Sequence, residues 1–205
     1  MSKSVDNLGE SYDNARSKFL ALEQRLSKQP QLKQDYSAFL EEYLQLGHMT
    51  PVTEDKKDVP YFYLPHHGVI KETSSTTNLR VVFNGSAKSS NGVSLNDILM
   101  TGPKVQDDLS ELVQRFRLHR IVMSADIAKM YRQIWVHPVD RGLQRILWRN
   151  TPKQPLVTYK LSTVTYGTAS APFLATRCLQ QLFDDEAFNF PEAAKLAKDG
   201  FYVTI

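Results

Sequence analysis

An α+β fold is what three features of the hydrophobic pattern predict. Apolar residues recur at helical spacing over residues 8–46, β-rich runs take over from Val59, and helical spacing returns after Pro103 and again after Ser170. At 205 residues, with 41% hydrophobic and 23% charged side chains, the chain is long enough to bury a core and has an ordinary globular composition.

The elements follow in order. Phe19, Leu22 and Leu26 predict one helix and Phe39, Tyr43 and Leu46 a second, with Gln29-Pro30 between them and Gly47 ending the second. The charged stretch Glu54 to Asp58 reads as a solvated connector, so residues 1–58 form an N-terminal helical region. Tyr61 to Leu64 and Gly68 to Lys71 flank Pro65-His66-His67, and Leu79 to Phe83 follows the polar run Thr73 to Asn78. That pattern predicts a hairpin with a polar tip. Pro103 opens a helix with Val105, Leu109, Leu112, Val113 and Phe116 on one side. A short buried strand, Ile121 to Ala125, leads into Asp126, and a helical turn follows. Gln144 to Trp148 and Val157 to Leu161 predict a strand pair around Thr151 to Pro155, and a last helix spans Ser170 to Phe183.

Composition narrows the function classes. No apolar run approaches the roughly 20 residues that span a bilayer, and the N-terminus lacks a signal-peptide core. One cysteine, Cys178, allows no internal disulfide and points to a reducing, intracellular setting. Residues 1–60 carry 8 basic and 10 acidic side chains, and residues 61–205 carry 17 and 12. The basic excess includes Arg115, Arg117, Arg120, Lys129, Arg132, Arg141, Arg145 and Arg149. It fits a polyanionic partner, and it fits a solvated surface as well.

Several residues could carry chemistry. Asp126, closing an apolar strand, either holds a divalent cation or caps the following turn. Tyr131, five residues on, lies against a nucleotide sugar or packs in the core. Lys71 and Arg80, on the two arms of the hairpin, clamp phosphate oxygens or guard a sheet edge. Tyr166 to Pro172 is a turn of small residues feeding a helix, open to close approach by another backbone or a base pair, and equally a plain capped loop. His66 and His67, adjacent in a strand, point to opposite faces and make a poor metal pair. Asn84 to Lys88 lacks the spacing of a phosphate-binding loop.

The order of these segments is more specific than any one of them. Tyr63-Leu64-Pro65-His66-His67-Gly68-Val69-Ile70-Lys71, Leu79-Arg80-Val81-Val82-Phe83-Asn84, Val93-Ser94-Leu95-Asn96-Asp97, Leu118-His119-Arg120 through Ala125-Asp126-Ile127, Lys129-Met130-Tyr131-Arg132-Gln133-Ile134 and Thr163 to Pro172 stand in sequence. From about Asn14 to Val203 the chain resembles the reverse transcriptase of Pao-type (BEL/Pao) long-terminal-repeat retrotransposons.

The resemblance implies a partial right-hand polymerase fold, with fingers and an incomplete palm over residues 59–205 preceded by the two N-terminal helices. It implies Asp126 as first catalytic aspartate, with the Ile127 backbone carbonyl beside it as a second metal ligand. It makes Tyr131 the sugar gate, Lys71 and Arg80 the triphosphate contacts, and Tyr166 and Gly167 the support of the templating pair. Asn84 departs from an aspartate expected there. The implied cofactor is a pair of Mg2+ ions, and the implied partners are an RNA or DNA template–primer and a deoxynucleoside triphosphate. Phe201-Tyr202-Val203 resembles the approach to a pair of aspartates, but Thr204 and Ile205 stand in their place. Two-metal phosphoryl transfer needs carboxylates from two strands, so the expectation is a polymerase fragment inactive by itself. The alternatives are a module that binds nucleic acid without chemistry, and one that associates with a partner through an exposed palm edge.

Overall fold

Helix α1 (Tyr12–Ser27) opens the computed structural model, which describes residues 4–53, 60–70 and 79–203. Ala15, Phe19, Leu22 and Leu26 line one side of α1 at helical spacing, and that side is buried. Pro30 occupies the first turn of α2 (Pro30–Gln45), where its missing N–H costs nothing. Its buried stripe is Leu32, Tyr36, Leu40 and Tyr43. This differs from the Phe39–Tyr43–Leu46 face read from the sequence. Leu46 caps the helix and is exposed, because Gly47 takes a left-handed φ of 70° and turns the chain away.

Strand β1 (Met49–Pro51) follows at once and was not expected. It is the edge of a three-stranded antiparallel sheet of order β1-β5-β4, in which β4 is Arg145–Trp148 and β5 is Val157–Leu161. Met49 faces Leu161, and Trp148 faces Val157. The second sheet is the expected hairpin, β2 (His66–Ile70) against β3 (Leu79–Phe83), running from His66 opposite Phe83 to Ile70 opposite Leu79. Tyr61 to Leu64 is not a full strand. It makes one parallel bridge, Tyr63 to Arg145, because two amides of the run, on Phe62 and Leu64, donate to the carbonyls of Gly142 and Arg145. The connector Glu54 to Asp58, Lys71, the polar tip Thr73 to Asn78, and Thr204-Ile205 lie outside the described residues.

A short helix α3 (Leu95–Ile98) is closed by a capping box, with Ser94 accepting from the Asp97 amide and Asp97 accepting from the Ser94 amide. Helix α4 is Leu109–Phe116, starting six residues later than Pro103. Just before Pro103, Gly102 has a left-handed φ of 75°, and a Cβ there would lie 2.2 Å from the Phe173 ring, so the chain runs close against that ring. The strand expected at Ile121 to Ala125 does not form, and Ile121 and Met123 are 83% and 91% exposed. Strands exist through their neighbours, and no described strand lies alongside this stretch. The helical turn does follow, as a 3-10 turn at Met130–Gln133. Helix α5 (Ala171–Asp185) extends the expected last helix slightly, and a further helix, α6 (Pro191–Gly200), packs on α4 and α5.

The chain is therefore α+β, and the described residues hold six helices and two small antiparallel sheets. Its large core joins α1 and α2 to both sheets through Phe19, Tyr36, Leu40, Phe62, Phe83 and Ile146. A second, smaller cluster gathers Tyr131, Val164, Ala171, Ala175 and Val203. Val203 is held there by Gln106, whose Oε1 accepts from the Val203 amide at 3.0 Å and whose Nε2 donates to its carbonyl at 2.9 Å. No described helix is long and apolar enough to cross a membrane.

Candidate functional site

Gly167 fixes the geometry of the site. Its φ is 96°, and a Cβ at this position would stand 2.0 Å from the carbonyl oxygen of Phe83. Only glycine lets the Tyr166–Gly167 turn press against the end of β3 in this way. Asn96 locks the same turn from the α3 side. Its Nδ2 donates to the Gly167 carbonyl at 3.0 Å and to Ser86 Oγ at 2.8 Å, and its Oδ1 accepts from the Ala169 amide at 2.8 Å.

That docking brings Tyr166 to Arg80, three residues before the end of β3. The Arg80 guanidinium carbon lies 5.6 Å from the centre of the Tyr166 ring, within cation–π range. Tyr166 also meets Tyr131, with ring centroids 4.4 Å apart at 59°. Tyr131 is 7% exposed and also packs on the small cluster. Burial raises the pKa of both phenols. At Tyr166 the Arg80 charge opposes that shift and the Asp126 charge adds to it, so Asp126 lies within electrostatic reach of this ring. Arg80, Tyr131 and the Tyr166–Gly167 turn thus come together from three segments. Ile127 is half-buried beside Asp126. Lys71 lies outside the described residues.

Asp126 itself is exposed and rises from the extended stretch rather than from a strand end. Among the described residues no three His, Cys, Asp or Glu side chains converge on one point. The described donors do not by themselves compose a two-ion centre.

Sequence reasoning missed the support beneath this site. Arg132, next to Tyr131 in the 3-10 turn, is also buried. Its Nη2 donates to Glu42 Oε1 at 3.1 Å and its Nε to His48 Nδ1 at 3.0 Å, while its guanidinium carbon stands 4.1 Å over the Tyr43 ring. Lys129, the one described non-glycine residue with positive φ (54°), also bonds Glu42. Burial works against ionisation of Glu42, but the Lys129 hydrogen bond and the Arg132 charge outweigh it and hold the carboxyl below its usual range. Desolvation, aided by Arg132, lowers the pKa of His48, which suits its role as neutral acceptor. Arg132 carried a signal, as a basic residue inside an ordered motif. Glu42 and His48 carried none.

His66 and His67 alternate as expected, the first buried and the second exposed. His66 Nε2 donates to the Leu147 carbonyl at 3.0 Å, and Nδ1 accepts from the Tyr36 hydroxyl. Burial lowers its pKa to about 4.

No family model matches this chain, and no curated protein matches it.

Proposed function

We propose that this chain is the fingers and palm portion of an RNA-directed DNA polymerase, which binds a template–primer and a deoxynucleotide and does not turn the nucleotide over by itself. One observation carries the reading. Arg80 on β3, Tyr131 in the 3-10 turn and the Tyr166–Gly167 turn, four of the positions the resemblance implies, meet from three segments of the chain.

Each residue has a physical task in that reading. The Arg80 fork takes phosphate oxygens in bidentate geometry. In this reading the edge of the Tyr131 ring borders the nucleotide sugar, where a 2′-hydroxyl would collide with it. Gly167 offers a flat backbone that a base pair can approach closely. Asp126 supplies a carboxylate, and the Mg2+ pair of the resemblance would need more than it supplies. Binding without turnover follows from that donor set.

The test is fluorescence anisotropy with an RNA–DNA template–primer across a salt series, beside primer extension with magnesium or manganese. The expected result is binding that weakens with salt, with a log–log slope reduced by about 1 in Arg80→Ala, and no extension. Salt-independent or absent binding would sink the reading, and extension abolished by Asp126→Ala would show that the chain is a working enzyme.

A further inference from the structure

We infer that Glu42, on α2, is a positioning residue for Tyr131: it holds Arg132 and Lys129 and through them fixes where the Tyr131 ring stands. The inference rests on the nucleotide-binding reading above for its consequence, and on geometry alone for its mechanism.

Tyr131 and Arg132 are neighbours in one 3-10 turn, and their side chains enter different bodies. Tyr131 packs against Tyr166 and the small cluster. Arg132 enters a cage built by α2 and the turn after it, from Glu42, Tyr43 and His48. Their Cα atoms are about 3.8 Å apart across one peptide bond, so the place of one side chain restricts the other. The approach to this turn has little support of its own. Residues 121–127 form no ladder with any described strand and are mostly exposed. Lys129, which begins the turn, sits in the left-handed region that an L-residue leaves unless its surroundings hold it there.

Glu42 answers both needs, because one oxygen accepts from Lys129 Nζ and from Arg132 Nη2. The Arg132 side chain is only 5% exposed, so without a carboxylate beside it a buried charge stands uncompensated. The Tyr43 ring and the neutral His48 acceptor do not neutralise it. Arg132 then moves toward water, and the turn carries Tyr131 with it. An acidic residue on the N-terminal helix thereby sets how closely a ring some ninety positions later can approach a sugar.

The experiment compares Glu42→Gln with Glu23→Gln. The second variant breaks a similar half-buried pair, in which Glu23 accepts from Arg149 Nε and Nη2 at 2.8 Å each, away from Tyr131. Two readouts are taken on the full chain: the fluorine NMR signal of Tyr131 in fluorotyrosine-labelled protein, assigned with Tyr131→Phe, and the ratio of dGTP to GTP binding with magnesium. Glu42→Gln is expected to move the Tyr131 signal and reduce the deoxy-to-ribo ratio about tenfold, as misplacement of a positioned group does. Glu23→Gln should lower the melting temperature and leave both readouts in place. A Tyr131 signal that stays put in folded Glu42→Gln protein overturns the inference. If Glu42→Gln does not fold, Arg132→Lys, which keeps the charge and loses the fork, must move the same signal or the inference fails. If the wild type binds neither nucleotide, the nucleotide-site reading falls, and the Tyr131 signal alone still decides the positioning.

Discussion

The large core and the small cluster are held together by different means. Around Tyr36, Phe62 and Phe83, side chains from both N-terminal helices and both sheets interlock with almost no exposed surface. Around Tyr131 and Ala175 the cluster is small, and polar latches do much of the holding: Gln106 on Val203, Asn96 on Gly167, Glu42 on the Met130–Gln133 turn. Apolar side chains nearby remain in water, among them Leu118, Ile121, Met123 and Phe188. Among the residues with proposed chemistry, Tyr131 and Tyr166 sit on the weakly packed side, and Arg80 reaches them from a strand of the strongly packed one. A site assembled this way can be rearranged without unfolding the protein.

The sharpest way to break the contrast is to cut each core. Phe83→Ala should cost about 4 kcal/mol, and Val164→Ala about 2, because the first leaves a larger hole in a place that cannot collapse. Urea unfolding measures both, and equal losses, despite the smaller group removed at Val164, would show that the small cluster is not the more weakly packed region.

Acid should reach the large core through His66. Its folded pKa, about 4, lies below the ordinary value of 6.5, so its contribution is complete above pH 6.5 and disappears as pH falls toward 4. The full shift is worth about 3 kcal/mol. Hydrogen exchange at pH 7 and pH 4.5 should show protection lost first across α2, β2 and β4, which Tyr36, His66 and Leu147 join. Earlier loss in α5 and α6 would place the acid-sensitive group elsewhere.

Gly167→Ala tests the seam between the regions. A methyl 2.0 Å from the Phe83 carbonyl, at positive φ, forces the turn away from β3. The expected cost is about 2 kcal/mol, with Tyr166 released from Arg80 and template–primer binding weakened. Unchanged binding would mean that Arg80 and Tyr166 need not act together.

What could be read from the sequence follows the same division. Helices α1, α2 and α5 and the β2–β3 and β4–β5 pairs were legible because their apolar spacing is local and strong. Strand β1 is three residues long and exists through β5, which no local pattern reveals. Helix α6 is amphipathic but only ten residues long, and its apolar side is mostly alanine, so it was passed over in the sequence. Ile121 to Ala125 has the composition of a strand, but composition cannot supply a neighbour. Arg80, Tyr131, Tyr166 and Gly167 were singled out by the order of their motifs, and the structure brings them near one another. Glu42 reads as one more helix-surface acid beside Glu41, and its importance depends on a contact ninety residues away. The α+β class expected from the sequence is the class observed.

Gln106 has one more consequence. Its carboxamide offers Val203 the same pair of bonds, one accepted and one donated, that an adjoining backbone would offer. At Val203 both backbone groups are thus already occupied by an imitation of a neighbouring strand. Any arriving chain, from this protein or another, must evict that amide before it can register there, giving up two hydrogen bonds worth about 1 kcal/mol each. A side chain that can be evicted shields this residue from casual strand exchange and still yields to a better-matched partner.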